Sequence, residues 1–314
     1  MLVHEISSPM VSMSELKTVF RGSIRINEPL AQYTSMKVGG PADYFLEPAD
    51  RDDLIALVHF LRQHDFPSMV IGRGSNLLVS DEGVRGAAIS VERILSDVRV
   101  EGDLVRAESG ARLTKLVDFC IQNSFAGMAW AAGIPGTVGG GIVMNAGAHG
   151  EQLSDHIVDV EIIRDGTVLI VPKSAASFGY RTSAFRGDIV LSARFAFPAG
   201  NREELIRHKS ELIKKRNETQ PLNLPNSGSM FKNPPGTHAA KLIEQAGLKG
   251  KRVGGAQISE KHANFIVNLG TARASDVATL LDLTRRTVYQ NTGILLELEV
   301  KMVGFPPGQT LNGQ

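Results

Sequence analysis

At 314 residues the chain is long enough for two or three domains, each with its own core. Its 34 basic and 33 acidic residues leave a formal charge of +1, which excludes a general affinity for nucleic acid or for an anionic membrane surface. With 42% apolar residues, no apolar run near the ~18 residues of a membrane span, and one cysteine, it reads as a soluble cytoplasmic protein with no disulfide framework and no cysteine metal cluster.

The opening "MLVHEISSPMVSMSELKTVF" has early acids and no apolar block, so it is not read as a secretory signal. Residues 1–20 read as a loosely held arm, and residues 306–314 as a frayed tail. Asp50 caps a helix whose stripe is Leu54, Ile55, Leu57, Val58 and Leu61. "SMVI" follows as a buried strand, then the turn-rich "GRGSN" and the apolar "LLV". Hairpins are expected at Gly102-Asp103 and at Asp165-Gly166. Cys120 shares a helical face with Leu113, Leu116 and Val117, the pattern of a core side chain. In "IVLSARFAF", alternation puts Leu191, Ala193, Phe195 and Phe197 on one strand face.

Character changes at Pro198-Ala199-Gly200-Asn201, which is taken as the main boundary. A helix from Glu203 ends in Lys214, Lys215 and Arg216, matching the helix dipole, and "THAAKLIEQAG" ends at a C-cap, Gly247. Strand "NFIVN", helix "SDVATLLDLTRRTVYQ" and strand "ILLELEVKMV" complete the chain. In the last strand Leu296, Leu298, Val300 and Met302 face one way and Glu297, Glu299 and Lys301 the other. Irregular alternation of helices, strands and hairpins argues for α+β domains. The expected units are 21–200, in halves of about 21–93 and 94–200, and 201–305.

Residues 131–150, "AAGIPGTVGGGIVMNAGAHG", hold seven glycines and no Asp, Glu, Lys or Arg. Each glycine in regular structure costs roughly 0.5–1 kcal/mol relative to alanine, so most should serve close approach to a ligand such as a phosphate. A triphosphatase loop fails because Ile142 stands where lysine is required, and a dinucleotide fingerprint fails at Leu77 and again at Met144. Two backbone-rich loops remain, "IGRGSNLLVSDEG" and "GIPGTVGGGIVMNAGAHG", each beside a strand and able to clasp a diphosphate between them.

"TSMKVGGPA", "GRGSNLLVSDEG", "AGIPGTVGGGIVMNAGAHG", "GYRTSAF", "SGSMFKNP", "KHANFIVN" and "LLELEVKMVG" together resemble the UDP-N-acetylenolpyruvoylglucosamine reductase family, the MurB flavoenzymes, over roughly residues 20–304. The compact stretch from Lys249 to Asn268 resembles the shorter form, which lacks an inserted substrate-covering loop. The resemblance implies a two-part FAD-binding domain of the vanillyl-alcohol-oxidase (PCMH) type and a C-terminal α+β substrate-binding domain. It implies NADPH as electron donor, UDP-N-acetylglucosamine enolpyruvate as substrate, a monomer, and no metal.

Under that resemblance FAD is held by Gly72, Arg73, Gly74, Ser75, Asn76 and Leu77 in the first loop. The second loop contributes Gly133, Ile134, Pro135, Gly136, Thr137, Gly139, Gly140, Asn145 and Gly147. Hydride addition to the vinyl carbon leaves an enolate-like dianion, which demands charge stabilisation and a proton. Arg181 is a guanidinium fork suited to a carboxylate, although alone it reads as a surface arginine. Ser229 is the implied proton donor, with Ser227 its nearest rival, and Glu299 the implied active-site acid. Lys232, Asn233 and Gln220 are placed at the sugar or diphosphate, with Arg216 a further candidate there; His262 is a substrate ligand or a packed histidine. Two rivals share this pattern: an oxygen-using oxidase on the same cofactor fold, and a non-catalytic flavin or nucleotide-sugar binder.

Overall fold

A computed structural model describes residues 11–306. The first half is a four-stranded sheet in the order Ser23–Pro29, Pro41–Glu47, Val84–Ser90, Ser68–Ile71, antiparallel in its first pair and parallel thereafter. Helix α1 (Met13–Val19) precedes it, and helix α2 (Arg51–Gln63) turns Leu54, Leu57, Val58 and Leu61 into its core. Asp50 caps α2 as expected, accepting from the Asp53 N–H at 2.9 Å.

The expected loose arm is corrected over its described part. Ser12 and Glu15 form a reciprocal cap on α1, while Val11, Leu16 and Phe20 are buried in the first-half core. The apolar spacing of those three residues pulls the segment onto the sheet. Residues 1–10 and 307–314 lie outside the described residues.

The second half is a five-stranded antiparallel sheet in the order Thr167–Pro172, Ile157–Arg164, Ile189–Phe195, Leu104–Glu108, Val98–Glu101. Both predicted hairpins close it at their predicted turns. Helices α3 (Leu113–Gln122) and α4 (Val138–Val143) pack beneath, around buried Trp130, Phe185 and Phe195. Cys120 sits in this core, where burial pushes its thiol pKa up to about 12. Leu191 departs from the alternation: Ser192 pairs Glu161 while Val190 pairs Ile162, so Leu191 is bulged into the first-half core.

Helix α5 (Arg202–Thr219), expected to open the substrate-binding domain at 201, instead packs Leu205 and Ile213 against the second-half core. The third sheet, antiparallel throughout, runs Asn226–Ser229, Phe265–Asn268, Ala256–Ile258, Arg252–Val253. It is covered by α6 (Ala239–Gln245) and α7 (Ala274–Thr292). The chain then returns to the first half, pairing Lys301–Val303 parallel with Leu77–Val79.

The two halves are stapled through Glu161 of the five-stranded sheet. It accepts from Arg51 of α2 at 2.7 Å, Arg106 at 2.9 Å and Ser192 at 2.9 Å. Replacing Glu161 by alanine leaves a half-buried guanidinium without its acceptor. It should lower unfolding stability by about 1–3 kcal/mol, read as an earlier urea midpoint with unchanged slope.

Candidate active site

A cleft of about 610 Å³ opens where the three sheets meet. Ser75 and Asn76 enter it from the first half, Gly133 to Pro135, Met144 and Ala146 to Ala148 from the second, and Asn226 to Ser229, Phe265 and Glu299 from the C-terminal part. Arg181, Ser229 and Glu299, from three distant motifs, all line it.

Glu299 owes its position to a break in the last strand. Regular pairing covers only Lys301–Val303, with an isolated bridge at Leu298, and the N–H groups of Glu299 and Val300 both donate to the Met230 carbonyl, at 2.8 and 3.3 Å. That bulge separates the two acids expected on one face: the Glu297 side chain is 68% exposed and that of Glu299 12%. Arg181 donates from Nε to Glu299 Oε1 at 2.8 Å. Burial raises the Glu299 pKa above the usual 4.5, and the charges of Arg181 and Lys232 only partly offset it.

Ser229 ends its strand opposite Phe265, and among the described residues its hydroxyl has no protein hydrogen-bond partner. Asn264, buried in "KHANF", clamps the next two residues. Its carbonyl accepts from the Met230 N–H at 2.8 Å, its Oδ1 from the Phe231 N–H at 3.0 Å, and its Nδ2 donates to the Phe231 carbonyl at 2.7 Å. The first loop is tied to the same region: Asn76 donates from Nδ2 to the Glu299 carbonyl at 3.0 Å and accepts from the Lys301 N–H at 2.9 Å.

The two glycine loops divide their work differently from the expectation. The N–H groups of Arg73, Gly74, Ser75, Asn76, Gly136 and Thr137 find no acceptor among the described residues, a donor array suited to phosphate oxygens. Gly74 has φ +55°, and a Cβ there would lie 2.3 Å from the Tyr33 carbonyl oxygen. At the start of α4, however, Val138 and Gly139 donate to Ala111 and Ser109 at 2.8 Å, and Gly140 to the Thr137 hydroxyl at 3.3 Å. Gly139 is thus glycine for packing: a Cβ would lie 2.8 Å from that of Ser109. Gly72 abuts Thr137 in the same way. Arg73 reaches Glu92 at 3.8 Å, Leu77 begins the parallel strand, and Gly147 pairs with Gln152 at the cleft wall. Asn145 is fully buried and cannot touch a ligand.

Of the four residues expected at the substrate, Gln220 alone lines the cleft. Lys232 bonds Glu297 at 3.2 Å, and Asn233 accepts from the Ala239 N–H at 3.1 Å while donating its own N–H to Tyr180 at 3.3 Å. The His262 ring stands edge-on to Phe265 at 4.7 Å, half-buried, with its pKa lowered by desolvation. The stronger feature is Arg216. Its Nε and the Gln220 Oε1 are buried at the cleft without any protein partner, and burial lowers the Arg216 pKa. The side chain rests on Gly133, where a Cβ would lie 3.3 Å from Arg216 Cδ. A buried cation with no carboxylate calls for an anion, so these residues fit a diphosphate-bearing group. Lys37 also lines the cleft; "TSMKVGGPA" carried the signal, but no chemistry distinguished that lysine in the sequence. Among the described residues no cluster of metal-binding side chains occurs, and no helix is long and apolar enough to cross a membrane.

Residues 42–171 match a family profile described as FAD binding domain, and residues 220–303 one described as UDP-N-acetylenolpyruvoylglucosamine reductase, C-terminal domain. The chain is 46% identical to the UDP-N-acetylenolpyruvoylglucosamine reductase of Chloroherpeton thalassium, over 94% of this chain and 98% of the relative. It is 45% identical to UDP-N-acetylenolpyruvoylglucosamine reductase 2 of Symbiobacterium thermophilum, over 96% and 100%. The crystal structure of UDP-N-acetylenolpyruvylglucosamine reductase from Thermus caldophilus superposes with a TM-score of 0.77 at 36% identity, covering 90% of this chain and 99% of that one.

Two substitutions separate packing glycines from open ones. Gly139→Ala should destabilise the fold, whereas Gly140→Ala, whose new Cβ meets nothing closer than 3.5 Å, should leave the urea midpoint unchanged or raised. Glu299 gives a pH test. Its folded pKa lies above the unfolded one, so its contribution is complete below pH ~4.5 and is lost as pH rises through the folded value. The Tm of Glu299→Gln relative to the parent should therefore climb between pH 4.5 and 8; a flat difference would refute the raised pKa.

Proposed function

The chain belongs to the UDP-N-acetylenolpyruvoylglucosamine reductase family, and from that premise we propose that it reduces UDP-N-acetylglucosamine enolpyruvate to UDP-N-acetylmuramate with NADPH through bound FAD. The reaction supplies peptidoglycan precursor, on which bacterial cell shape and division depend, and the enzyme works as a cytoplasmic monomer. The carrying observation is the meeting, in one cleft, of a guanidinium, an unbonded hydroxyl and a buried carboxyl beneath two loops of unpaired N–H groups.

FAD, when bound, would supply hydride transfer between NADPH and the enol ether. The chain holds and protonates. Open N–H groups of residues 73–76 and 136–137 receive the cofactor's diphosphate. Arg216 and Gln220 offer a buried cation and an amide to a second phosphate-bearing group, the UDP or the nicotinamide nucleotide. Lys232 and Asn233 act from the rim, and His262 acts by backing Phe265.

Arg181 faces the substrate carboxylate and offsets the charge that gathers there as the neighbouring carbon becomes enolate-like. Ser229 delivers the proton to that carbon; an enolate is basic enough to take it from a neutral hydroxyl. Glu299, biased toward its neutral form by burial, adds no negative charge beside the forming dianion and can hydrogen-bond to it, while the single proton comes from Ser229. The residues 201–219 lie with the cofactor domain in packing, and the substrate-binding domain occupies about 220–305.

NADPH oxidation by the purified protein should depend on added enol ether. Ser229→Ala should keep its yellow flavin and still be bleached by NADPH, yet lose roughly 10²–10⁴ in turnover. Near-normal turnover would remove Ser229 from the mechanism.

A further inference from the structure

Arg181 occupies the left-handed region, φ +57°, inside a two-residue turn closed by mutual backbone hydrogen bonds between Gly179 and Thr182. A bulky non-glycine residue stays in that conformation only where its surroundings over-determine it. Two contacts from the end of α4 do so. Asn145 donates from Nδ2 to the Gly179 carbonyl at 3.0 Å, and Ser183 donates from Oγ to the Val143 carbonyl at 2.8 Å. We propose that Asn145 is a positioning residue that aims the Arg181 guanidinium into the cleft by clamping its turn to the helix of the second glycine loop. The proposal rests on the catalytic reading of Arg181 and deepens it.

Both donor hydrogens of the amide and one acceptor site of its oxygen are taken within the protein. Asn145 is fully buried, its second Nδ2 hydrogen goes to Gln152 Oε1 at 3.0 Å, and its Oδ1 accepts from the Ser154 N–H at 3.1 Å. Asn145 itself has φ +46°, a conformation asparagine tolerates better than most side chains. Met144 and Ala146 on either side line the cleft, so the amide ties the cofactor wall directly to the turn bearing the guanidinium. The charged groups facing Glu299 are Arg181 at 2.8 Å and Lys232 more remotely, with Lys37 and Arg216 elsewhere on the cleft wall.

Asn145→Asp tests this with little change of shape. Aspartate tolerates the same backbone and keeps an acceptor for Ser154, but it sets a carboxylate against the Gly179 carbonyl. FAD content and bleaching by NADPH should stay at parent levels, while reoxidation by the enol ether slows by about 10²-fold, the scale of a misplaced catalytic group. The pH limb governed by Glu299 should move upward, because the guanidinium that holds its pKa down is displaced. Combined with Arg181→Ala, the double variant should be no slower than Arg181→Ala alone. Ser183→Ala, removing the other tie, should slow the same step, and Ser183→Thr should restore it; this pair decides the matter if Asn145→Asp does not fold. Colourless Asn145→Asp protein, or parent-like reoxidation and pH limb, would overturn the proposal. Normal turnover in Arg181→Ala would instead sink the catalytic reading beneath it, whereas an inactive Arg181→Ala beside a normal Asn145→Asp would refute the positioning alone.

Discussion

The bond from Arg181 to Glu299 spans 118 residues of sequence, and its partners are anchored in different sheets. One approaches from a turn beside the five-stranded sheet, the other from a broken strand bound to the third. A charge-assisted contact in a half-dry cleft is worth keeping only if both ends are fixed, since ordering two long side chains costs entropy that a loose scaffold would not recover. The whole fold therefore has to hold one seam in register.

Apolar packing of Met36, Val38 and Leu78 into the C-terminal core closes the seam, and hydrogen bonds fix its register. Lys301–Val303 lies parallel on Leu77–Val79, Ser35 donates to the Asn226 carbonyl at 2.7 Å, Ser227 to the Leu77 carbonyl at 3.2 Å, and Asn268 to the Met36 carbonyl at 3.0 Å. Such bonds are directional, so they fix register where a greasy contact would allow sliding. They also place Asn76, in the first glycine loop, against the Glu299 carbonyl. Anything that orders residues 73–76 acts on the acid's strand through the Asn76 side-chain amide and its main-chain carbonyl, which accepts from the Lys301 N–H.

Much of this was legible in the chain. Hairpins at Gly102-Asp103 and Asp165-Gly166, the Asp50 cap and the Gly247 terminus follow from local turn and cap chemistry, which depends on neighbours only. What escaped is tertiary. Alternation could not foresee the bulges at Leu191 and at Glu299–Val300, each of which sends one side chain to an unexpected side. Nor could composition separate glycines that make room for a ligand from those that make room for the protein: Gly139 faces Ser109 and Gly133 faces Arg216, partners far away in sequence. Asn145 was misjudged for the same reason, because an asparagine in a glycine-rich loop looks exposed until its burial is known.

Arg216 shows why the cleft should not be understood as a finished surface. A buried guanidinium nitrogen without an acceptor, next to a buried amide oxygen without a donor, is costly in a protein that must fold on a margin of roughly 5–15 kcal/mol. Arg25 and Arg106 also bury an Nε without a hydrogen-bond partner, but each has a carboxylate beside its guanidinium, Glu47 and Glu161, which Arg216 lacks among the described residues. Its retention at the cleft makes sense if an anionic ligand completes the shell, so that desolvation already suffered by the protein is returned as affinity. Ligand binding then stabilises the fold by mass action. The same polar groups that weaken the empty scaffold give the loaded one its specificity.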